Sequence, residues 1–325
     1  MAGAAGVFTS AKDALSQTPI ALGAATGDDG AMTETFIDAP LLAHLQSWQS
    51  RSETTADTLS EAPVRALSAT LDRDDPPPAP GDKLPPLWHW LYFLPHARQS
   101  GLGPDGHARR GGFLPPVPLP RRMWAGGRLR WEAGNPLRVG QQVRRESTIQ
   151  SVNHKTGRSG ELLFVLVQHR FFNADGLALT EEHDIVYRSA AQPGEAAPAP
   201  TSPPLAGQQA WSRHINADAV MLFRYSALTF NGHRIHYDRQ YVTEVEGYPG
   251  LIVHGPLIAT LLLDLLRREL PQARLASFDF RAVRPTFDLH PFSVHGKPSA
   301  DGKSVELWAQ DHEGFLTMQG KATLA

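Results

Sequence analysis

The sequence contains no cysteine. That absence excludes disulfides, thiolate nucleophiles and cysteine-ligated metals, and it fits a reducing cytoplasm. An excess of charge is missing too. With 31 Lys and Arg against 33 Asp and Glu, the net charge is −2, so no broad basic field recommends a nucleic-acid partner. No stretch reaches the roughly 18 uninterrupted apolar residues of a membrane span, so no membrane partner is expected. What remains is a chain of 325 residues, 41% hydrophobic and 20% charged, long enough for one large or two ordinary domains with buried cores.

Residues 1–30 are small and weakly patterned. They lack the charged start, apolar core and cleavage site of a secretory signal, and their acidic residues argue against a mitochondrial transit peptide. They read as a mobile extension. From Thr33 the pattern is helical, with Phe36, Leu41, Leu42, Leu45 and Trp48 on one stripe, and a second helix is expected over 63–71. The stretch DRDDPPPAPGDKLPP then breaks any helix or central strand. The apolar run LWHWLYFL, residues 87–94, stands where a central helix would lie. Its histidine, His89, reads as packing, with a place in a pocket wall as the alternative. Residues 101–134 are rich in Gly, Pro and Arg, including Arg109, Arg110, Arg121, Arg122, Arg128 and Arg130. They read as a loop that covers a substrate or receives the phosphates of a carrier, with a solvated charged loop as the alternative.

Strand periodicity begins after Gln141. Segments 142–152, 162–173 and 177–187 are separated by NHKTGRSG and NADG turns, as in an antiparallel meander. Residues 190–210 are rich in Ala and Pro and read as a linker. A second set of strands is expected over 275–287, 292–297, 305–311 and 315–324, with Asp175–Leu179 in step with Glu313–Thr317. This repetition points to a duplicated α+β unit, each copy a central helix wrapped by antiparallel sheet, occupying 31–189 and 211–325. Two such units can join edge strands into one long sheet.

The chemistry concentrates between Phe223 and Glu269. The run from Leu257 to Leu266 is apolar on every face apart from Thr260 and Asp264, so it should be a helix buried all round. Pro256 fits its first turn, and Gly255 allows close approach of a ligand. The free N–H groups there suit a developing oxyanion. Just ahead lie Asn231, His233, His236 and His254. Three readings stay open: structural histidines, a metal site, and general acid/base catalysis beside an oxyanion helix. The metal reading is the weakest, for want of a cysteine, a carboxylate triad or an HExxH pattern.

The segments TFNGHRIHYD and GLIVHGPLIATLL resemble the MaoC-like, hydratase-2 branch of the hotdog superfamily. PLPRRMWAGGRL, PLRVG and FNGHRIHYD resemble its subgroup of 3-methylfumaryl-CoA (mesaconyl-C4-CoA) hydratase, itaconyl-CoA hydratase and hydroxyacyl-thioester dehydratase type 2. The resemblance implies a double hotdog whose degenerate N-terminal half shapes the acyl pocket. It implies reversible hydration of a 2-enoyl-CoA, with a short branched dicarboxylic acyl group such as 3-methylfumaryl-CoA or itaconyl-CoA. A fatty-acid hydroxyacyl-thioester dehydratase, a hotdog thioesterase and a non-catalytic acyl-binding subunit are the alternatives. By the same resemblance His236 is the catalytic imidazole and the Gly255 amide faces the thioester oxygen. Asn231 stands where the family has its catalytic Asp, and an amide cannot act as a base. His233 and Arg234 replace the motif's Asn and Pro. His233, Arg234, His254 and Trp88 are expected to contact substrate, Arg281 and Arg284 to meet the coenzyme A phosphates, and Arg234 or Arg239 a free carboxylate. No metal and no cofactor beyond coenzyme A as part of the substrate is implied, and a cytoplasmic homodimer is expected.

Overall fold

Alternating apolar residues turn one face of each strand inward. In the computed structural model of the protein, which describes residues 37–157, 160–189 and 199–325, those strands form a single antiparallel sheet of ten. In chain order they are β1 (Ser52–Thr58), β2 (Arg121–Trp131), β3 (Gln142–Gly157), β4 (Gly160–Asn173), β5 (Gly176–Arg188), β6 (Trp211–Ile215), β7 (Leu275–Ala282), β8 (Phe292–Pro298), β9 (Ser304–Gln310) and β10 (Leu316–Leu324). Across the sheet the order is β1-β3-β4-β5-β2-β7-β10-β9-β8-β6. Counted inward from opposite edges, β6, β8, β9, β10 and β7 take the places of β1, β3, β4, β5 and β2. The duplication and the shared sheet are the α+β double hotdog expected from the sequence.

The seam is β2 against β7, from Gly126 opposite Arg281 to Arg130 opposite Ser277. Here the structure corrects the sequence reading, which took residues 101–134 as loop. A methyl group on Gly126 would lie 2.4 Å from the Phe280 carbonyl oxygen, and one on Gly127 would lie 2.9 Å from that of Glu182. The glycines that looked like loop residues are the ones that let two neighbouring strands close on this strand. The short outer strands β1 and β6 also went unread.

Four α-helices cover the sheet: α1 (Ala39–Gln46), α2 (Glu61–Thr70), α3 (Ala219–Leu228) and α4 (Gly255–Glu269). As expected, every residue of α4 from Leu257 to Leu266 is buried. Among the described residues the N-terminal half has no helix to match it. At its equivalent place the chain makes only a 3-10 turn, Trp88–Leu91, entered through Leu87 at φ 69°. The largest core cluster packs α4 with residues of both halves, including Leu67, Trp88, Leu129, Phe278 and Phe280. A second cluster lies under α1, where Leu45 meets Ile149, Leu163, Val165 and Tyr187. The extension expected at 1–30 lies outside the described residues, as do residues 190–198 of the 190–210 linker.

Candidate active site

Two short segments build the site. After α3 the chain passes through Phe230 at φ 48°. The Asn231 N–H then donates to Ser226 O at 2.8 Å, and its side-chain oxygen accepts from the His233 N–H at 3.0 Å. This Asx-type turn opens a 3-10 turn, Arg234–His236, that directs His236 inward, where it is 8% exposed. The Ile252 N–H donates to Ile235 O at 3.0 Å, which ties the turn to the segment leading into α4.

His236 Nδ1 lies 2.7 Å from the Ile252 carbonyl oxygen. A carbonyl only accepts, so Nδ1 carries the hydrogen and Nε2 keeps an open lone pair. The ring stacks on that of His254, with 3.7 Å between centroids and 18° between planes. His254 is the N-cap residue of α4 and its Nε2 lies 2.8 Å from Ser226 Oγ. In the first turn of that helix Pro256 has no N–H, and Ile258 already donates to His254 O at 3.1 Å. Helix geometry leaves the amides of Gly255 and Leu257 as the donors at this positive end.

The imidazoles continue outward. His233 stands edge-on to His236 at 5.5 Å, and 4.0 Å beyond it lies His107, delivered by the N-terminal half. Asp105 closes the row, its Oδ2 3.0 Å from His107 Nδ1 and its Oδ1 accepting from the His107 N–H at 3.0 Å. Burial pushes His236 down to about 4, and the charge of His107 adds to the effect against the opposing bond to Ile252. Burial, with His107 and His236 as neighbours, pushes His233 down to about 2, and burial with His236 and His233 as neighbours holds His254 well below the ordinary imidazole range. These three rings are therefore neutral at pH 7, and a neutral imidazole with a free Nε2 is a base.

Of the residues singled out in the sequence, His233, His236, His254 and Gly255 come together. Asn231 lies in the same turn, its carbonyl oxygen held by the backbone. Three expectations need correction. The Arg234 guanidinium is already engaged: Nη2 and Nε hold Asp238 at 2.7 and 3.0 Å, Nη1 donates to Pro104 O at 3.0 Å, and the group covers the Tyr241 ring. Arg239 is paired with Asp288. Trp88 is 3% exposed under Arg267, twelve residues along α4 from Gly255, about 18 Å at the helical rise. Arg281 is exposed on β7. Arg284 pairs with Asp311 at 3.2 Å and, with His290 and His312, lines a cavity of about 220 Å³.

Sequence reasoning missed Asp105, His107 and Ser226. The only signal was an Asp-Gly-His within a glycine-rich loop, and there the arginines drew the attention. Asp105, His107 and His233 also bring three metal-competent atoms within 4.8 Å of one another. Two of the three groups are already engaged with each other, through the His107 Nδ1 bond to Asp105.

Residues 87–288 match the family of hydroxyacyl-thioester dehydratase type 2. The chain is 46% identical to the mesaconyl-C(4)-CoA hydratase of Chloroflexus aurantiacus over 285 residues, which span 87% of this chain and 98% of that one. Among solved structures it resembles a MaoC-like dehydratase from Phytophthora capsici, with a TM-score of 0.61 at 14% identity over 87% and 97% of the two chains. It also resembles a double-hotdog protein of Mycobacterium tuberculosis, with a TM-score of 0.51 at 15% identity over 85% and 96%. These two likenesses concern the fold alone. The match across most of the sheet and the whole imidazole row, together with so close a relative, makes this chain a member of the hydroxyacyl-thioester dehydratase type 2 family, within the MaoC-like hotdog proteins.

Proposed function

We propose that the chain catalyses the reversible hydration of the double bond of a 2-enoyl-CoA, with a short branched dicarboxylic acyl group such as mesaconyl-C4-CoA or itaconyl-CoA. The observation that carries the reaction type is the fixed tautomer of His236: a neutral ring, its Nδ1–H held by Ile252, its Nε2 open beside the mouth of α4. The thioester oxygen accepts from the Gly255 N–H, which stabilises the enolate-like charge formed as water adds. His236 Nε2 takes a proton from water, the oxygen bonds to C3, and the proton is returned to C2. Asn231 Nδ2 is left to orient the water. Coenzyme A enters as part of the substrate, and Arg281 or Arg284 meets its phosphates. The acyl class rests on the 46% identical relative, whose name states a mesaconyl-C(4)-CoA substrate. On this reading the enzyme works in the cytoplasm as a homodimer and needs neither metal nor redox cofactor.

The test is an assay of purified protein on a panel of straight-chain and dicarboxylic enoyl-CoA thioesters. Loss of enone absorbance without release of free thiol is expected, fastest for a branched dicarboxylic substrate such as mesaconyl-C4-CoA. Thiol release would make the protein a thioesterase, and a preference for long straight chains would assign it to fatty-acid metabolism.

A further inference from the structure

Hydration leaves His236 transiently as an imidazolium in a buried place, and its immediate neighbours there are two further neutral imidazoles. A buried cation needs a compensating charge. The nearest acid in sequence does not provide one, because Asp238 is paired with Arg234. Asp105 is different. Its side-chain partner is His107, and among the described residues no lysine or arginine forms an ion pair with it.

Its position is built with some care. The Arg234 N–H donates to the Asp105 backbone carbonyl at 2.9 Å, and Arg234 Nη1 holds the neighbouring Pro104 carbonyl at 3.0 Å. Gly106, at φ 87°, approaches so closely that a methyl group there would lie 1.9 Å from Gly232 O. Each contact joins the loop of the N-terminal half to the very turn that carries His233 and His236. The loop lies on the catalytic turn as a fixed part of the site.

Resting on the hydratase reading, we propose that Asp105 and His107 form the charge-compensating arm of the acid/base machinery. Asp105 supplies the negative charge, and His107 and His233 carry its influence along the row to His236. The pair positions charge and does not touch the reacting carbon atoms. It takes the part that Asn231, an amide, cannot fill. The groups facing the pair are Arg110 from its own loop, Arg122 from β2, and His233, Arg234, His236 and Tyr241 from the C-terminal half. The two loop and strand arginines disfavour an imidazolium here, which is why removing the one carboxylate should be felt.

The experiment is steady-state kinetics of wild type, Asp105→Asn and Asp105→Glu on the best enoyl-CoA substrate, with thermal melts of each. Asp105→Asn is expected to lower kcat about 10²-fold, the order of an acid/base contribution, with little change in KM. Its acid limb of kcat/KM should move to lower pH, because loss of the carboxylate makes the imidazoles harder to protonate. Asp105→Glu keeps the charge and should recover most of the rate. If wild type is active and Asp105→Asn keeps its rate, the proposal fails and the hydratase reading stands. Equal losses in the Asn and Glu variants with lowered melting temperatures and no movement of the acid limb would make Asp105 merely structural. A silent wild type would overturn the hydratase reading and this proposal with it.

Discussion

The imidazole of His236 lies nearly flat on that of His254, the residue that caps α4. This one contact links the base to the helix mouth, because moving the His254 ring would displace both the resting place of His236 and the first turn that begins at Gly255. Ser226 fixes the outer nitrogen of His254, so the stack is anchored from α3 as well. Three successive segments, α3, the His236 turn and the start of α4, thereby agree on where a thioester sits.

Replacing His236 with Ala should cost about 10² to 10⁴ in kcat, the range of a general acid/base contribution. The fold should survive, since the ring makes a single hydrogen bond, to Ile252. Enone absorbance and far-ultraviolet circular dichroism measure the two parts separately. A variant of near-normal rate would remove His236 from the mechanism.

Acid should destabilise the protein early. Burial pushes His169 down to about 3, His183 and His236 to about 4 and His233 to about 2. Above the ordinary imidazole pKa of about 6.5, neither the folded nor the unfolded chain holds these protons and stability is at its full value. As pH falls below it, the unfolded chain takes them up and the folded chain refuses until its own lower values are reached. Stability is therefore lost by up to about 1.4 kcal/mol per pH unit per imidazole. Melting temperature should stay level from pH 7 to 9 and fall steeply between 6.5 and 4. A level curve down to pH 5 would mean that the imidazoles are not held neutral.

How far the sequence could be read depended on the range of the interaction. α4 declared itself by ten consecutive residues, because helix burial is local, and His236 was singled out by the resemblance of its segment to a family motif. β2 did not, since Gly126 and Gly127 make sense only when Phe280 and Glu182 press on them from other strands. Asp105 and His107 were invisible for the same reason: their partner His233 lies more than a hundred residues away, and nothing local marks an acid that will face it. Arg234 shows the opposite failure. Its charge suggested a carboxylate ligand, but Asp238, four residues on, already satisfies it.

Prolonged dialysis against a strong chelator should leave turnover unchanged. Asp105, His107 and His233 have the reach to bind a cation. Binding would require breaking the Asp105 bond to His107 and would impose a positive charge beside imidazoles kept neutral by burial, with Arg110 and Arg122 acting on His107. Both costs oppose a resident metal. Activity lost on chelation and restored by zinc would show that the three side chains serve as ligands.

Asp264 tests the opposite end of α4. Its carboxylate, 1% exposed, is held by Arg73 Nη1 at 2.6 Å, Arg213 Nη1 at 2.8 Å and Arg268 Nε at 2.8 Å. Arg73 and Arg267 in turn share Asp75. The network ties residues 73–75, β6 and α4 together, and it explains why a helix otherwise apolar on nearly every face carries an acid. Asp264→Ala would leave three guanidinium groups without their shared partner, and the loss of one member of a buried ion pair costs about 3–5 kcal/mol. Urea unfolding should show a loss of that size. Turnover of the folded fraction should persist, because Asp264 lies nine residues from Gly255, about 14 Å along the helix. A loss below about 1 kcal/mol, the scale of exposed pairs, would mean that water reaches these arginines and that packing alone holds α4 in the sheet.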